Sequence, residues 1–235
     1  MIKMGTSRKE VPIPLGDNIM TTNSTLANAD WSVADLLERF GPIAHRRIRQ
    51  NPPPGCATEQ DVLDIHDRED RLYELVDGVL VEKAMGMQES FLAVLFVRLL
   101  GNYVDRLNLG FVLGADGMVR LAPGLIRIPD VSFISWNKFP NRRIPDWPML
   151  QFAPDLAVEI LSPSNTPKEM DHKVHDYFNL GVKLVWYVDP VKRTVQVITS
   201  SEQYTLLEGD QTLTGDPLLP GFVLPLKDLF ASLEA

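Results

Sequence analysis

The chain of 235 residues has a single cysteine, Cys56, which excludes an intrachain disulfide and any CxxC zinc site and fits a reducing compartment. No stretch approaches the roughly 20 apolar residues of a membrane-spanning helix, and the N-terminal region has no hydrophobic signal core, so a cytoplasmic protein without a membrane partner is expected. There is no glycine-rich phosphate loop and no GxSxG elbow, which removes the commonest nucleotide-binding and esterase designs. Positive charge is also short. With 23 Lys and Arg against 31 Asp and Glu, the formal charge of -8 argues against a protein that coats nucleic acid non-specifically, because that binding comes mainly from basic side chains neutralising phosphates. A locally basic groove remains compatible with an acidic whole. Arg46-Arg47 with Arg49, and Lys138 with Arg142-Arg143, either line such a groove or are solvated surface.

What is present is the balance of a globular domain. Hydrophobic residues make up 45% and charged residues 23%, enough to bury one full interior. Residues 1–28 are polar and irregular and read as a mobile arm, leaving 29–235 as one domain. Ser32 caps a helix over Val33 to Phe40 that Gly41 ends, and a second short helix follows Thr58 to Leu63. Asp77-Gly78 joins two β-rich runs, Tyr73 to Val76 and Val79 to Lys83, into a hairpin. From Gln88 to Leu107, apolar residues at Leu92, Leu95, Phe96, Leu99 and Tyr103 recur at the helical period. Strands follow at Phe111 to Leu113, Met118 to Leu121 and Ile128 to Ile134, then a punctuated loop to Phe152 and a buried run, Leu156 to Leu161. Thr166, Pro167 and Glu169 start a capping-box helix that reaches Leu180 and closes at Gly181. Strands at Lys183 to Val188 and Thr194 to Thr199 complete the core.

Within this order three ionisable residues are candidates for chemistry. Glu159 is the one charge inside an apolar strand, a costly placement unless the carboxylate is paired, protonated or metal-bound. Asp130 begins the preceding strand, and Lys173 lies in the helix that follows. Two carboxylates on neighbouring strands can hold magnesium, which retains several of its own waters, and a metal so held can orient water and stabilise charge at phosphorus. The alternative for Asp130 is a strand-start acid accepting backbone hydrogen bonds, and for Lys173 a surface lysine. Asp155, after Pro154, reads as a turn residue. His172 and His175, three apart on a helix, read as exposed residues rather than a zinc pair.

The segments Tyr73-Glu74-Leu75-Val76-Asp77-Gly78, Arg127-Ile128-Pro129-Asp130-Val131, Pro154 to Ser164, and Lys173 to Tyr177 with Val185 to Pro190, taken in this order, resemble the Uma-type putative restriction endonucleases of the PD-(D/E)XK superfamily. The resemblance covers about Leu36 to Ile198. It implies a restriction-endonuclease-like α/β (α+β) core, a mixed sheet flanked by helices with an N-terminal hairpin and helical arm, and an Mg²⁺- or Mn²⁺-dependent endonuclease acting on nucleic acid, DNA ahead of RNA, with homodimers common. One departure stands out. The superfamily's acidic-x-Lys triplet would put lysine at Leu161, so the cation has moved, with Lys173 as the replacement, or the site is an inactive binding module. Glu89, in the first turn of the long helix, matches a metal-assisting glutamate by position, or simply stabilises the helix dipole. Glu74 is a further metal candidate or the partner of a cross-strand base.

Overall fold

Helices begin where side chains satisfy the free backbone amides of the first turn. In the computed structural model, which describes residues 31–139 and 141–234, Ser32, Thr58 and Thr166 each accept from the third helical residue, while Asp35, Asp61 and Glu169 bond back to the cap. These boxes start α1 (Val33–Phe40), α2 (Glu59–Glu69) and α4 (Pro167–Asn179). Between them lie β1 (Tyr73–Val76), β2 (Val79–Glu82), α3 (Met87–Leu107), β3 (Gly110–Leu113), β4 (Val119–Ala122), β5 (Leu125–Arg127), β6 (Val131–Ser135) and β7 (Leu156–Ile160). After α4 come β8 (Leu184–Asp189), β9 (Thr194–Ser200), β10 (Gln203–Leu207), β11 (Thr212–Gly215), β12 (Leu219–Pro225) and α5 (Leu226–Ala231). The arm expected over residues 1–28 lies outside the described residues. No described helix is long and apolar enough to cross a membrane.

The strands form a six-stranded sheet in the order β10-β9-β8-β7-β6-β3, a four-stranded sheet in the order β2-β1-β5-β4, and the pair β11-β12. Among the described strands only β7 and β8 pair in parallel, joined through α4; the other strand neighbours are antiparallel. The larger sheet is therefore mixed and covered on both faces. Leu156, Val158, Ile160 and Trp186 pack with Leu92, Phe96 and Leu100 of α3. The alternate residues Ala157, Val185 and Tyr187 pack with Met170, Val174 and Tyr177 of α4. Period-two alternation sorts the side chains between the helices, so Glu159, one residue beyond Val158, must point toward α4.

The hairpin forms as its sequence predicts, with Asp77 at φ 51° and Gly78 at φ 74°. A Cβ on Gly78 would stand 2.4 Å from the Gly55 carbonyl oxygen, so glycine is required both by conformation and by close approach. Two expectations need correction. The helix after Thr58 runs on to Glu69, because Ile65 buries one turn beyond Val62. Ile128 to Ile134 is not one strand: β5 ends at Arg127 in the smaller sheet, and β6 begins at Val131 in the larger one. Pro129 sits in the break, where its missing N–H removes a ladder donor. This switch carries the chain from one sheet to the other immediately before Asp130.

Candidate active site

The antiparallel register pairs Val131 with Val158, Ser132 with Ala157 and Phe133 with Leu156. Asp130 stands immediately before β6 and Glu159 immediately after Val158, at the same end of this strand pair. The Ile160 N–H donates to Asp130 Oδ2 at 2.6 Å, fixing that carboxylate beside the end of β7. Asp130, Glu159, Lys173, Glu74 and Glu89, all predicted from sequence, line one cavity of about 20 Å³, with Arg47, Lys83 and Asn165. That space fits about one water-sized occupant, which needs roughly 10–15 Å³. It adjoins an open cleft of about 610 Å³ lined by Arg46, Ala84, Met85, Glu89 and the Ser162–Pro167 turn.

Glu74, Asp130, Glu159 and Lys173 are each no more than 5% exposed, so their charges must be compensated locally. Lys173 lies 3.0 Å from both oxygens of Glu159 and 3.0 Å from Glu74 Oε1. Tyr177, one helical turn on, donates its hydroxyl hydrogen to Glu159 Oε1 at 2.5 Å. Glu74 also accepts from Arg127 Nη1 at 2.8 Å and from the Ile128 N–H at 3.1 Å, and Arg127 is held on its other side by Asp176. Glu74 thus pairs with a base on β5 and with Lys173 on α4. Lys173 is buried in an ionic lattice, not at the solvent border its helical position suggests.

Protonation follows from these contacts. Burial works against ionising Glu74, but Lys173 and Arg127 outweigh it and hold its carboxyl at about 2. At Glu159 burial prevails. Reinforced by the nearby Asp130, it lifts that carboxyl above the usual glutamate range although Lys173 pulls the other way. Lys173 is pushed up despite its burial, because two carboxylates share it. Burial, then Glu159 and Glu74, raise the Tyr177 hydroxyl well above its ordinary value, so it remains a donor.

Acidic side chains outnumber basic ones at this cavity. Glu74, Glu89, Asp130 and Glu159 face the cavity against the ammonium groups of Lys83 and Lys173, while Arg47 is neutralised by Glu169 at 2.7 Å. With Arg127 set against Asp176, the four carboxyls exceed the two ammonium groups. Glu89, on the first turn of α3, lines this cavity with no hydrogen-bonded or ionic partner among the described residues, its carboxylate folded against Gly86. Among the described residues no three Asp, Glu, His or Cys side chains converge tightly enough to enclose an ion unaided. A divalent ion placed here would have to complete its shell with water, as Mg²⁺ does when held by one or two carboxylates.

Sequence reasoning missed Arg127 and Tyr177, which hold carboxylates of the site, and Lys83, which lines the cavity. It follows β2, pairs with Asp130 Oδ1 at 2.8 Å and donates to the Ile128 carbonyl oxygen. The available signal was a lysine closing a hairpin strand whose partner strand carries Glu74. Other expectations change too. Arg47 is buried and bonded bidentately to Glu169, and Arg49 is bonded to Glu69, so of that cluster Arg46 alone lines the cleft. Asp155 is fully buried and faces Lys183 at 2.8 Å and Lys138 at 3.3 Å, a structural anchor rather than a turn residue. His172 Nδ1 bonds the Arg39 carbonyl oxygen at 2.6 Å.

A model of the Uma2 family, described as putative restriction endonuclease, matches residues 59–227. Among solved structures, the crystal structure of a putative nuclease belonging to DUF820 from Anabaena variabilis superposes with a TM-score of 0.63 at 22% identity, covering 70% of this chain and 92% of that one. A search of curated proteins finds no match. At that identity the likeness establishes the fold, a restriction-endonuclease-like α+β core of sheets flanked by helices. The family match spans more than two thirds of the sequence, over the hairpin, Asp130, Glu159 and Lys173, and on that ground the chain belongs to the Uma2 family of putative restriction endonucleases.

Proposed function

We propose that the chain is a metal-dependent endonuclease that hydrolyses phosphodiester bonds of nucleic acid, with DNA the favoured substrate because the family is described as restriction endonucleases. The carrying observation is that Asp130, just before β6, and Glu159, on β7, line one cavity whose carboxylates outnumber its cations, with Asp130 held by the Ile160 N–H. Asp130 and Glu159 hold Mg²⁺ or Mn²⁺. Glu89 adds an acid from the helix end, and Glu74 completes the acidic set through Lys173. When bound, such an ion lowers the pKa of water and stabilises charge at the phosphoryl group. Lys173 stands in for the lysine that Leu161 displaces. It acts through Glu159, holding that buried carboxylate in place and favouring its ionised form, with Tyr177 orienting the same group. The cleft beside Arg46 and the Ser162–Pro167 turn admits the polynucleotide backbone.

The test pairs two measurements on purified protein, Mn²⁺ titration by calorimetry and cleavage of supercoiled plasmid DNA. Wild type should bind and nick, chelation should stop nicking, and Asp130→Asn and Glu159→Gln should each lose both. A wild type that neither binds Mn²⁺ nor cuts DNA or RNA would remove the proposal. A second reading, a nuclease fold that binds nucleic acid without cutting it, is favoured by Leu161 at the motif position. Duplex binding unchanged by chelation and by Glu159→Gln would select it. Pairing of two copies through the hairpin and the Trp136–Trp147 loop, where Ile144 and Trp147 are exposed, belongs to the same proposal and is read by sedimentation.

A further inference from the structure

The six-stranded sheet is covered unevenly on the side that α4 packs against. Tyr204 and Leu206 of the edge strand β10 stand opposite Ile198 and Gln196 of β9. Ile198 packs into the core beneath α4, and residues paired across antiparallel strands project from the same face, so Tyr204 and Leu206 share that side. They are left open, at 62% and 45% exposure. Between Tyr204 and the flank of α4 at Met170 and Val174 runs a trough of about 660 Å³, floored by Tyr187 and Ile198. Its rim carries the exposed Val191 and is acidic. Lys192 matches Asp189 at 3.1 Å, whereas Asp171 and Glu202 have no ionic partner among the described residues.

An apolar surface bordered by spare negative charge fits a segment that is both apolar and basic. Such a segment precedes the described residues: Lys3, Arg8 and Lys9 against the single acid Glu10, followed by Val11-Pro12-Ile13-Pro14-Leu15. We propose that residues 3–15 of the chain's own N-terminal arm occupy this trough. The apolar side chains lie against Tyr204 and Val191, and the basic ones beside Asp171 and Glu202. Alternating prolines restrict the backbone to extended forms, and such segments dock in aromatic-lined grooves at low entropic cost. The distance can be spanned. The described chain opens at Trp31, whose ring lies 6.2 Å from that of Phe40, and the carbonyl oxygens of Phe40 and Arg39 are bonded by Thr166 at the α4 cap and His172 on α4. Sixteen residues separate Leu15 from Trp31, roughly 50 Å of extended chain, and the trough lies along the same helix, whose diameter is about 10 Å. The trough shares residues of the Ser162–Pro167 turn with the cleft beside the candidate active site, so the seated arm borders that entrance. This docking goes beyond the nuclease reading and does not depend on it.

The test places a photo-cross-linking benzoylphenylalanine at position 204 of the full chain and, in a second protein, at position 191, both exposed positions. After illumination, the products are sized, digested and mapped by mass spectrometry. We expect both probes to link to residues 3–15 in a product of single-chain mass. Asp171→Lys combined with Glu202→Lys should lower the yield about fivefold or more, through the loss of two exposed charge contacts, and raised salt should lower it too. Ile13→Asp should lower it in the same way, with the melting temperature close to wild type in every variant. Illumination that yields no link to residues 3–15 from either probe would overturn the proposal. So would a link unaffected by charge reversal and by Ile13→Asp. A product of twice the chain mass would place a second copy in the trough and overturn it equally.

Discussion

Tyr177 donates its hydroxyl hydrogen to Glu159 Oε1 at 2.5 Å, so a neutral group from α4 shares the buried carboxylate with the ammonium of Lys173. Removing that hydroxyl leaves one oxygen of a buried acid short of a donor. Tyr177→Phe should cost about 1–3 kcal/mol, the penalty of an unsatisfied buried acceptor, measured by urea denaturation of the metal-free protein. A variant as stable as wild type would show that water replaces the phenol freely.

On the proposed reading, the direction of the Glu159 shift sets a pH dependence for metal binding. Burial, with Asp130 beside it, lifts that carboxyl above the ordinary glutamate range, and only the ionised form ligates a cation. Mn²⁺ affinity should therefore begin to decline at a pH higher than an ordinary glutamate would allow. Calorimetric titrations across a pH series give the midpoint, and a decline confined to the range of an exposed carboxylate would contradict the burial argument.

Acid stability should follow Glu74. Its folded-state value is depressed to about 2 from 4.5, so its contribution is fully present above the unfolded value and is lost as pH falls through the folded one. The shift corresponds to about 3 kcal/mol. Denaturation curves should show stability dropping between these values, and Glu74→Gln, less stable at neutral pH, should show a shallower drop over the same window.

Arg47 and Glu169 form a buried bidentate pair at 2.7–2.8 Å that ties the segment after α1 to the first turn of α4. Arg47→Ala strands Glu169 and should cost about 3–5 kcal/mol, whereas replacing both partners by apolar residues should cost much less. Chemical denaturation of Arg47→Ala and of Arg47→Met with Glu169→Leu separates the two cases. Equal losses in both would mean that packing, not stranded charge, governs the pair.

At the hairpin tip, Gly78→Ala should cost about 2–3 kcal/mol, since it combines a positive φ with a clash against backbone. The collision is with the Gly55 carbonyl oxygen, 2.4 Å from the added carbon. Thermal melts check it; an unchanged melting temperature would show that the loop carrying Gly55 yields.

The sequence was most informative where local chemistry acts alone. The Ser32 cap, the Thr166 capping box, the Asp77-Gly78 turn and the apolar period of α3 each reflect contacts within a few residues, and each forms as expected. Glu159 stood out because a charge in a buried strand needs a partner. What could not be read was which partner. Lys83, Arg127 and Asp176 enter the site through pairings across 47, 53 and 49 positions of chain or through contacts between sheets. The same holds for Arg47, whose charge suggested a surface cluster but whose mate is 122 positions away. The break at Pro129 was missed for a different reason. Ile128 to Ile134 is uniformly suited to extended backbone, and propensity does not reveal a change of sheet.

Because the chain changes sheets at Pro129, Glu74 and Asp130 belong to separate strand systems, bridged by Ile128, whose N–H serves one acid and whose carbonyl oxygen serves Lys83 beside the other. Neither half of the molecule owns a complete set of acids. On the proposed reading, a chain with only one of the two strand systems in order lacks part of its acidic set.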